Sequence, residues 1–143
     1  MNPNAAKLYN LLLNKDKAYP MEFHHEVIGF SMRRITHVFD GAPSCIKGFT
    51  MALMQEKTGN EGVQFLFNSI QEADNECAKF LGLETRAAMR LFLPDSQPLE
   101  TSVLDIIWSH ANANPYDFCG LVGARAAAEA LKKCCENFPR VTP

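Results

Sequence analysis

The chain has 143 residues, of which 47% are hydrophobic and 21% are charged, and its net charge at pH 7 is −2. This composition is typical of one globular domain, and it excludes a disordered tail and a chain that depends on metals or disulfides to fold. The 14 basic residues are scattered among 16 acidic ones. This distribution of charge argues against nucleic-acid binding. We therefore predict a single domain over residues 1–143.

The cysteines and the apolar runs indicate the compartment. The sequence has five cysteines, an odd number, and no Cys-x-x-Cys pair. The N-terminus is polar and lacks the pattern of a secretory signal. No apolar run approaches the roughly 18 residues of a membrane span. We expect reduced thiols, no membrane association and a cytoplasmic location.

The first 40 residues predict a helix and then a mixed segment. Asn4 is a candidate cap for a helix whose apolar face includes Leu8 and Leu12 and which stops before Pro20. Alternating apolar residues from 21 to 27 favour a short extended piece. Helical spacing from Ile28 to Phe39 then favours a second helix.

The middle of the chain predicts two longer helices. Ser44 is the expected cap of the first, and Gly59 its end. Asn60 is the expected cap of the next, which ends at Gly82. Apolar residues recur along that helix at positions 63, 66, 67, 70, 77 and 81.

The last third predicts three further helical segments. A short helix has Ala87, Ala88, Leu91 and Phe92 facing inward, and another follows a capping-box pattern at Ser102. Gly120 and Gly123 are expected to bracket a bend before a final helix that Pro139 ends. The overall prediction is an all-α fold of about six helices in an irregular, partly orthogonal array.

Cys45 is the candidate nucleophile. At the start of a helix, backbone amides and the helix dipole would stabilise its thiolate, and Lys47 lies nearby in sequence. A base would come from His24, His25 or His37. The alternative is packing, because free cysteine is among the most buried residue types and Ile46 and Phe49 follow it.

Other chemistry has weaker sequence support. His24-His25-Glu26 groups three metal-binding residue types, but neighbouring residues of a strand point to opposite faces, and the recognised zinc and phosphate motifs are absent. We therefore predict no metal and no cofactor. The acidic pairs, Glu72 with Asp74 among them, are interpreted as solvated faces.

Aromatic residues near a polar loop suggest a recognition surface. Trp108, Tyr116 and Phe118 are candidate ligand-binding residues, although such side chains more often pack the loop against the core. With Phe65 and Phe67, Trp108 and Phe118 are also the candidate lining of a small-ligand pocket.

Short segments resemble a group of small bacterial and phage proteins of unknown function. That group shows Phe-x-Met, Cys-Gly-Thr-x-x-Cys-Ile-Ala-Gly-Trp, Leu-Gly-Leu and Leu-Phe-x-Pro. The matching positions are Phe30, Met32, Gly41, Cys45, Ile46, Gly48, Leu81 to Leu83, and Leu91 to Pro94.

The same comparison shows departures. Asp40 replaces the first cysteine of the group, Ala42 replaces its threonine and Phe49 stands at its tryptophan. Two cysteines acting together are therefore not implied for this chain. The resemblance implies a helical fold and a phage or prophage setting, with no known activity.

Three functions remain open from the sequence. The favoured one is an intracellular accessory protein that binds another protein or a second copy of itself. The others are a cysteine-dependent enzyme or thiol sensor using Cys45, and a small-ligand binder.

Overall fold

The computed structural model describes residues 1–14, 21–23, 26–28, 36, 42–57, 61–92 and 120–140. Within them lie five helices and one two-stranded hairpin. The helices are α1 (Pro3–Leu13), α2 (Ile46–Met54), α3 (Ile70–Leu81), α4 (Thr85–Phe92) and α5 (Gly120–Asn137), and the strands are β1 (Met21–Phe23) and β2 (Glu26–Ile28). The helix-rich fold is confirmed, whereas the number of six helices is not. The segment predicted from Ser102 lies outside the described residues.

The start of α1 differs from the prediction by two residues. Asn2 is the cap, and its Oδ1 accepts a hydrogen bond from the backbone N–H of Ala5 at 2.7 Å. Pro3 then occupies the first helical turn, where its fixed φ is favourable and no N–H is needed. Asn4, the predicted cap, instead donates from Nδ2 to the Phe80 carbonyl at 3.1 Å.

The extended piece is confirmed and is part of a hairpin. Strand β1 pairs antiparallel with β2, with Met21 opposite Ile28. Ile28, predicted to open a helix, therefore belongs to a strand, and Thr36 forms an isolated antiparallel bridge with Pro43. The remainder of the helix predicted up to Phe39 lies outside the described residues.

Helix α2 begins one residue later than predicted and ends earlier. Its cap is Cys45, whose side chain accepts no cap hydrogen bond, and not Ser44. Residues 46 to 52 are all buried, so α2 is surrounded by protein on most sides. The helix ends at Met54, before the predicted stop at Gly59, which lies outside the described residues.

The predicted helix from Asn60 to Gly82 was too long at its N-terminus. Residues 61–69 are not helical, and α3 begins at Ile70. A capping box explains the start: Ser69 Oγ accepts from the Glu72 N–H at 3.0 Å, and Glu72 Oε2 accepts from the Asn68 N–H at 2.6 Å. The predicted end at Gly82 is confirmed, with a left-handed φ of 69°.

The last two helices agree with the buried faces read from the sequence. In α4 the four predicted residues are buried, and in α5 Ala127, Ala128 and Leu131 are buried. Cys134 is buried, whereas Cys135 is half-buried. The predicted bend at Gly120 and Gly123 is wrong, because α5 already includes both.

The core lies between α1 and α5 and extends to α2, α3 and α4. Small residues line much of α5, which allows α1 to approach closely. Among the described helices, none has both the length and the hydropathy needed to cross a lipid bilayer.

Candidate functional site

Cys45 lies at the start of α2, as the sequence suggested, but inside the protein. Only 2% of its surface is exposed. Burial raises the pKa of the Cys45 thiol, and this desolvation outweighs the opposing effects of the Gly48 and Lys47 amides and the Lys47 ammonium. A nucleophilic cysteine needs an accessible thiol with a lowered pKa, so the geometry favours the packing interpretation.

The histidines proposed as bases lie outside the described residues. So do the candidate ligand-binding residues Trp108, Tyr116 and Phe118. The structure therefore brings no proposed base to Cys45 within its described part, and the cysteine hypothesis stays a prediction.

A buried ion pair is the main feature that the sequence analysis missed. Lys47 Nζ of α2 lies 2.6 Å from Asp74 Oδ1 of α3, and the two side chains are 3% and 4% exposed. Lys47 Nζ also lies 6.0 Å from the ring centroid of Phe92, which is within range of a cation–π interaction. Asp74 Oδ1 accepts no hydrogen bond from any other described group. The Lys47 ammonium is therefore the main group that offsets the cost of burying this carboxylate.

The helical spacing of α3 contains the signal for this pair. Asp74 shares one stripe with Cys77, Ala78 and Leu81, all of them buried. The interpretation of Asp74 as solvated is therefore wrong. Glu72, one of the capping-box residues, is the member of the acidic pair that is near solvent.

Cys77 packs beside the ion pair. Its Sγ lies 3.9 Å from the Met54 Sδ. Burial raises the pKa of the Cys77 thiol to about 12, and Lys47 lowers it only in part. Cys77 and Asp74 are both buried, so this cluster packs as core.

The second feature is a groove between α3 and α4, here called the α3–α4 groove. Its volume is about 930 Å³, within the range of ligand clefts. Its lining comprises Ser69, Ile70, Gln71, Glu72, Asp74, Asn75, Thr85 and Met89. Ile70 and Met89 are the apolar members of this lining, and both are exposed.

The polar groups of this groove are largely satisfied by the protein itself. Asp74 is paired with Lys47, and Glu72 is engaged in the capping box. Thr85 Oγ1 donates to Asn75 Oδ1 at 2.8 Å. Several polar groups of the groove lining are therefore already engaged within the protein.

The third feature is an exposed apolar patch. Phe65, Leu66, Ile70 and Met89 are the large apolar residues exposed in this region, with Leu66 at 65% and Ile70 at 54%. Ile70 and Met89 also line the groove. Two of these four exposed side chains are therefore part of the groove lining.

Residues 61–69, here called the anchored segment, carry Phe65 and Leu66 and are held by hydrogen bonds at both ends. At one end, Gln55 Nε2 donates to the Gln64 carbonyl at 2.5 Å, and Gln55 Oε1 accepts from the Gln64 N–H at 3.1 Å. Lys57 Nζ also donates to the Gly62 carbonyl. At the other end the capping box fixes Asn68 and Ser69.

Aromatic packing further supports the anchored segment. Phe67 is partly buried and packs against the core. The Phe65 ring meets the Phe67 ring edge to face, with centroids 5.6 Å apart. Phe65 is exposed, and Trp108 and Phe118, the other predicted lining residues of the small-ligand pocket, lie outside the described residues, so that pocket stays a prediction.

Comparisons with protein-family models, with curated proteins and with solved structures found no match for this chain. Its function is therefore argued from the described residues.

Proposed function

We propose that the protein acts by binding another protein through the apolar patch on its anchored segment. The observation that carries the proposal is the combination of exposure and anchoring. Phe65 and Leu66 face solvent although the backbone on both sides of them is held by hydrogen bonds. Large apolar side chains that stay exposed side by side on an ordered segment are typical of an interaction site.

Anchoring lowers the entropic cost of binding. A segment that is already ordered before association loses less conformational freedom when it meets a partner. The Gln55 side chain makes two hydrogen bonds to the backbone of Gln64. Phe65 and Leu66 follow this fixed residue directly in the chain. This arrangement supports recognition by a preformed surface.

The proposed setting is the cytoplasm. The four described cysteines, Cys45, Cys77, Cys134 and Cys135, are free thiols, which suits a reducing compartment. A phage or prophage origin remains a prediction from the resemblance alone.

Site-specific photo-crosslinking in cells tests the proposed function. A benzophenone analogue of phenylalanine placed at Phe65 should form light-dependent adducts with a protein partner, because this side chain is exposed on the anchored segment. The same analogue at exposed Lys132 on α5 is the matched control and should form none. Adding Leu66→Asp should abolish the adduct at position 65.

The absence of any protein adduct from position 65 would argue against the proposal. Equal adducts from positions 65 and 132 would also contradict it, since they would show contact without selectivity for the patch.

A further inference from the structure

We infer that residues 138–140, here called the strap, hold the α3–α4 groove closed at one end, and that release of the Arg140 side chain opens the groove while the core stays folded. This conformational device goes beyond the proposed function and does not rest on it. It is carried by one juxtaposition. The Arg140 guanidinium contacts a lining residue on each wall of the groove, Asn75 of α3 and Thr85 of α4.

The backbone of the strap pairs with the residues that connect α3 to α4. The Arg140 N–H donates to the Gly82 carbonyl at 2.9 Å. Leu83 and Pro139 form an isolated antiparallel bridge beside this hydrogen bond. The strap therefore runs along the corner from which both walls of the groove begin.

The Arg140 side chain joins the two walls. Its Nη2 donates to Thr85 Oγ1 at 3.0 Å and to Asn75 Oδ1 at 3.5 Å, and its Nε donates to the Leu83 carbonyl at 3.0 Å. A guanidinium can reach several acceptors at once because its donors lie in one plane at fixed angles. Without it, the hydrogen bond from Thr85 to Asn75 is the described hydrogen bond that still joins the walls at this end.

The distribution of burial makes the opening local. Phe138 packs against the core, whereas Pro139 is exposed and Arg140 is half-buried. Segments held by solvent-accessible hydrogen bonds open at a lower free energy than the global unfolding of a packed core. Ala88 and Leu91 keep α4 attached to that core, so release of Arg140 frees the first turn of α4 and leaves the rest of the helix in place.

Amide hydrogen exchange, resolved by residue with NMR, is the first test. The Glu84 N–H donates to the Phe138 carbonyl at 3.2 Å, and in Arg140→Ala its exchange should become at least about tenfold faster. The amide of Leu131, in the buried face of α5, should keep its wild-type rate. Arg125→Ala removes an exposed arginine of α5 and is the matched control, with no change expected at either amide.

Thr85→Val is the second variant and keeps the inference testable if Arg140→Ala does not fold. It removes the hydroxyl that accepts from Arg140 and donates to Asn75. It should therefore give the same local increase in exchange at Glu84.

A distance between the two walls tests the groove itself. Gln71 and Met89 are exposed lining residues of α3 and α4. Nitroxide labels attached through keto-bearing unnatural residues at these two positions leave the native cysteines unmodified. Pulsed electron resonance should then show an added population at longer distance in Arg140→Ala, and the wild-type distribution in Arg125→Ala.

Three results would overturn the inference. Unchanged exchange in both Arg140→Ala and Thr85→Val would show that the corner does not depend on the guanidinium. Equal acceleration at Glu84 and Leu131 would show global unfolding in place of local opening. Faster exchange at Glu84 with an unchanged distance between positions 71 and 89 would show that the strap opens without the groove.

Discussion

Lys47 and Asp74 bring opposite charges together in the interior. Their contribution to the stability of the fold depends on the two charges being paired. Removing both charges from water costs several kcal/mol per ion, and the mutual attraction offsets this only while the two groups are in contact. At 2.6 Å, with both side chains at least 96% buried, little solvent is left to stabilise either charge alone. The pair therefore joins α2 and α3 in one arrangement.

We predict that Lys47→Met and Asp74→Asn each lower the free energy of unfolding by about 3–5 kcal/mol, because each leaves an uncompensated buried polar or charged group. The double variant should lower the free energy of unfolding by less than the sum of the losses of the two single variants. Urea denaturation of the four proteins measures this coupling.

The surface pair Lys79–Glu76 is the matched control for that cycle. Its atoms lie 3.5 Å apart, and its side chains are about half exposed. Lys79→Met should change stability by about 0.5 kcal/mol or less. Additive effects at Lys47 and Asp74 would show that the buried pair makes no specific contribution.

The Cys77 thiol predicts a loss of stability at alkaline pH. Burial on folding raises its pKa from the ordinary value of 9.0 to about 12, so between these values the folded state binds more protons than the unfolded state. The free energy of unfolding must then fall with rising pH in this window, by at most about 1.4 kcal/mol per pH unit for this group. The slope from this thiol fades below pH 9, where both states keep it protonated.

Urea denaturation at several pH values from 8 to 10.5 measures the slope. Cys77→Ala should give a shallower decline above pH 9 than the wild type, whatever its effect on stability at pH 8. Parallel curves for the two proteins would mean that the Cys77 thiol does not titrate differently in the folded and unfolded states.

At the scale of elements, local signals that compete with hydrophobic periodicity decide where helices begin and end. The apolar spacing at residues 63, 66, 67 and 70 is compatible with a helix, but the capping box from Asn68 to Glu72 starts α3 later. The residues before it are then free to form the anchored segment. The element that carries the proposed function exists because a capping signal prevailed over periodicity.

Gly82 is the clearest case in which one residue ends an element. It adopts a left-handed φ of 69°, and a Cβ at this position would lie 2.8 Å from Asn2 Nδ2. We predict that Gly82→Ala lowers the free energy of unfolding by about 1–2 kcal/mol through backbone strain and this contact. Thermal unfolding of the variant checks the value.

Gly62→Ala is the control for backbone strain. Gly62 is exposed, and Gly82 alone among the described glycines has a positive φ. The control should therefore be close to neutral. A Gly82→Ala protein as stable as this control would contradict the assignment of Gly82 as a left-handed helix cap.

At the scale of the whole molecule, both ends of the described chain meet at the corner between α3 and α4. Asn2 Nδ2 donates to the Phe80 carbonyl at 3.1 Å, and the Arg140 N–H donates to the Gly82 carbonyl at 2.9 Å. Arg140 Nε also donates to the Leu83 carbonyl at 3.0 Å. These bonds fix the ends of α1 and α5, which form a large part of the core.

The meeting of the two ends also explains why there is little room for a side chain at Gly82. Asn2 approaches Gly82 because the α1 cap lies against the end of α3. Such a contact joins residues about 80 positions apart, and no local pattern encodes it. It arises from the packing of α1 onto α5 and α3.

The sequence by itself determined the features that depend on neighbouring residues. Helical periodicity predicted the buried faces of α4 and α5, and glycine chemistry predicted the end of α3 at Gly82. These succeed because propensity, spacing and capping act within one or two turns. The same local rules misplaced the starts of α1 and α3 where two signals compete.

Only the tertiary structure decided which side chains meet. The enclosure of Cys45, the pairing of Lys47 with Asp74 and the exposure of Phe65 and Leu66 each depend on surfaces supplied by distant parts of the chain. Burial sets the pKa of a thiol and the cost of a charge, and burial is a property of the packed molecule. The candidate site therefore became visible only after the helices were placed against one another.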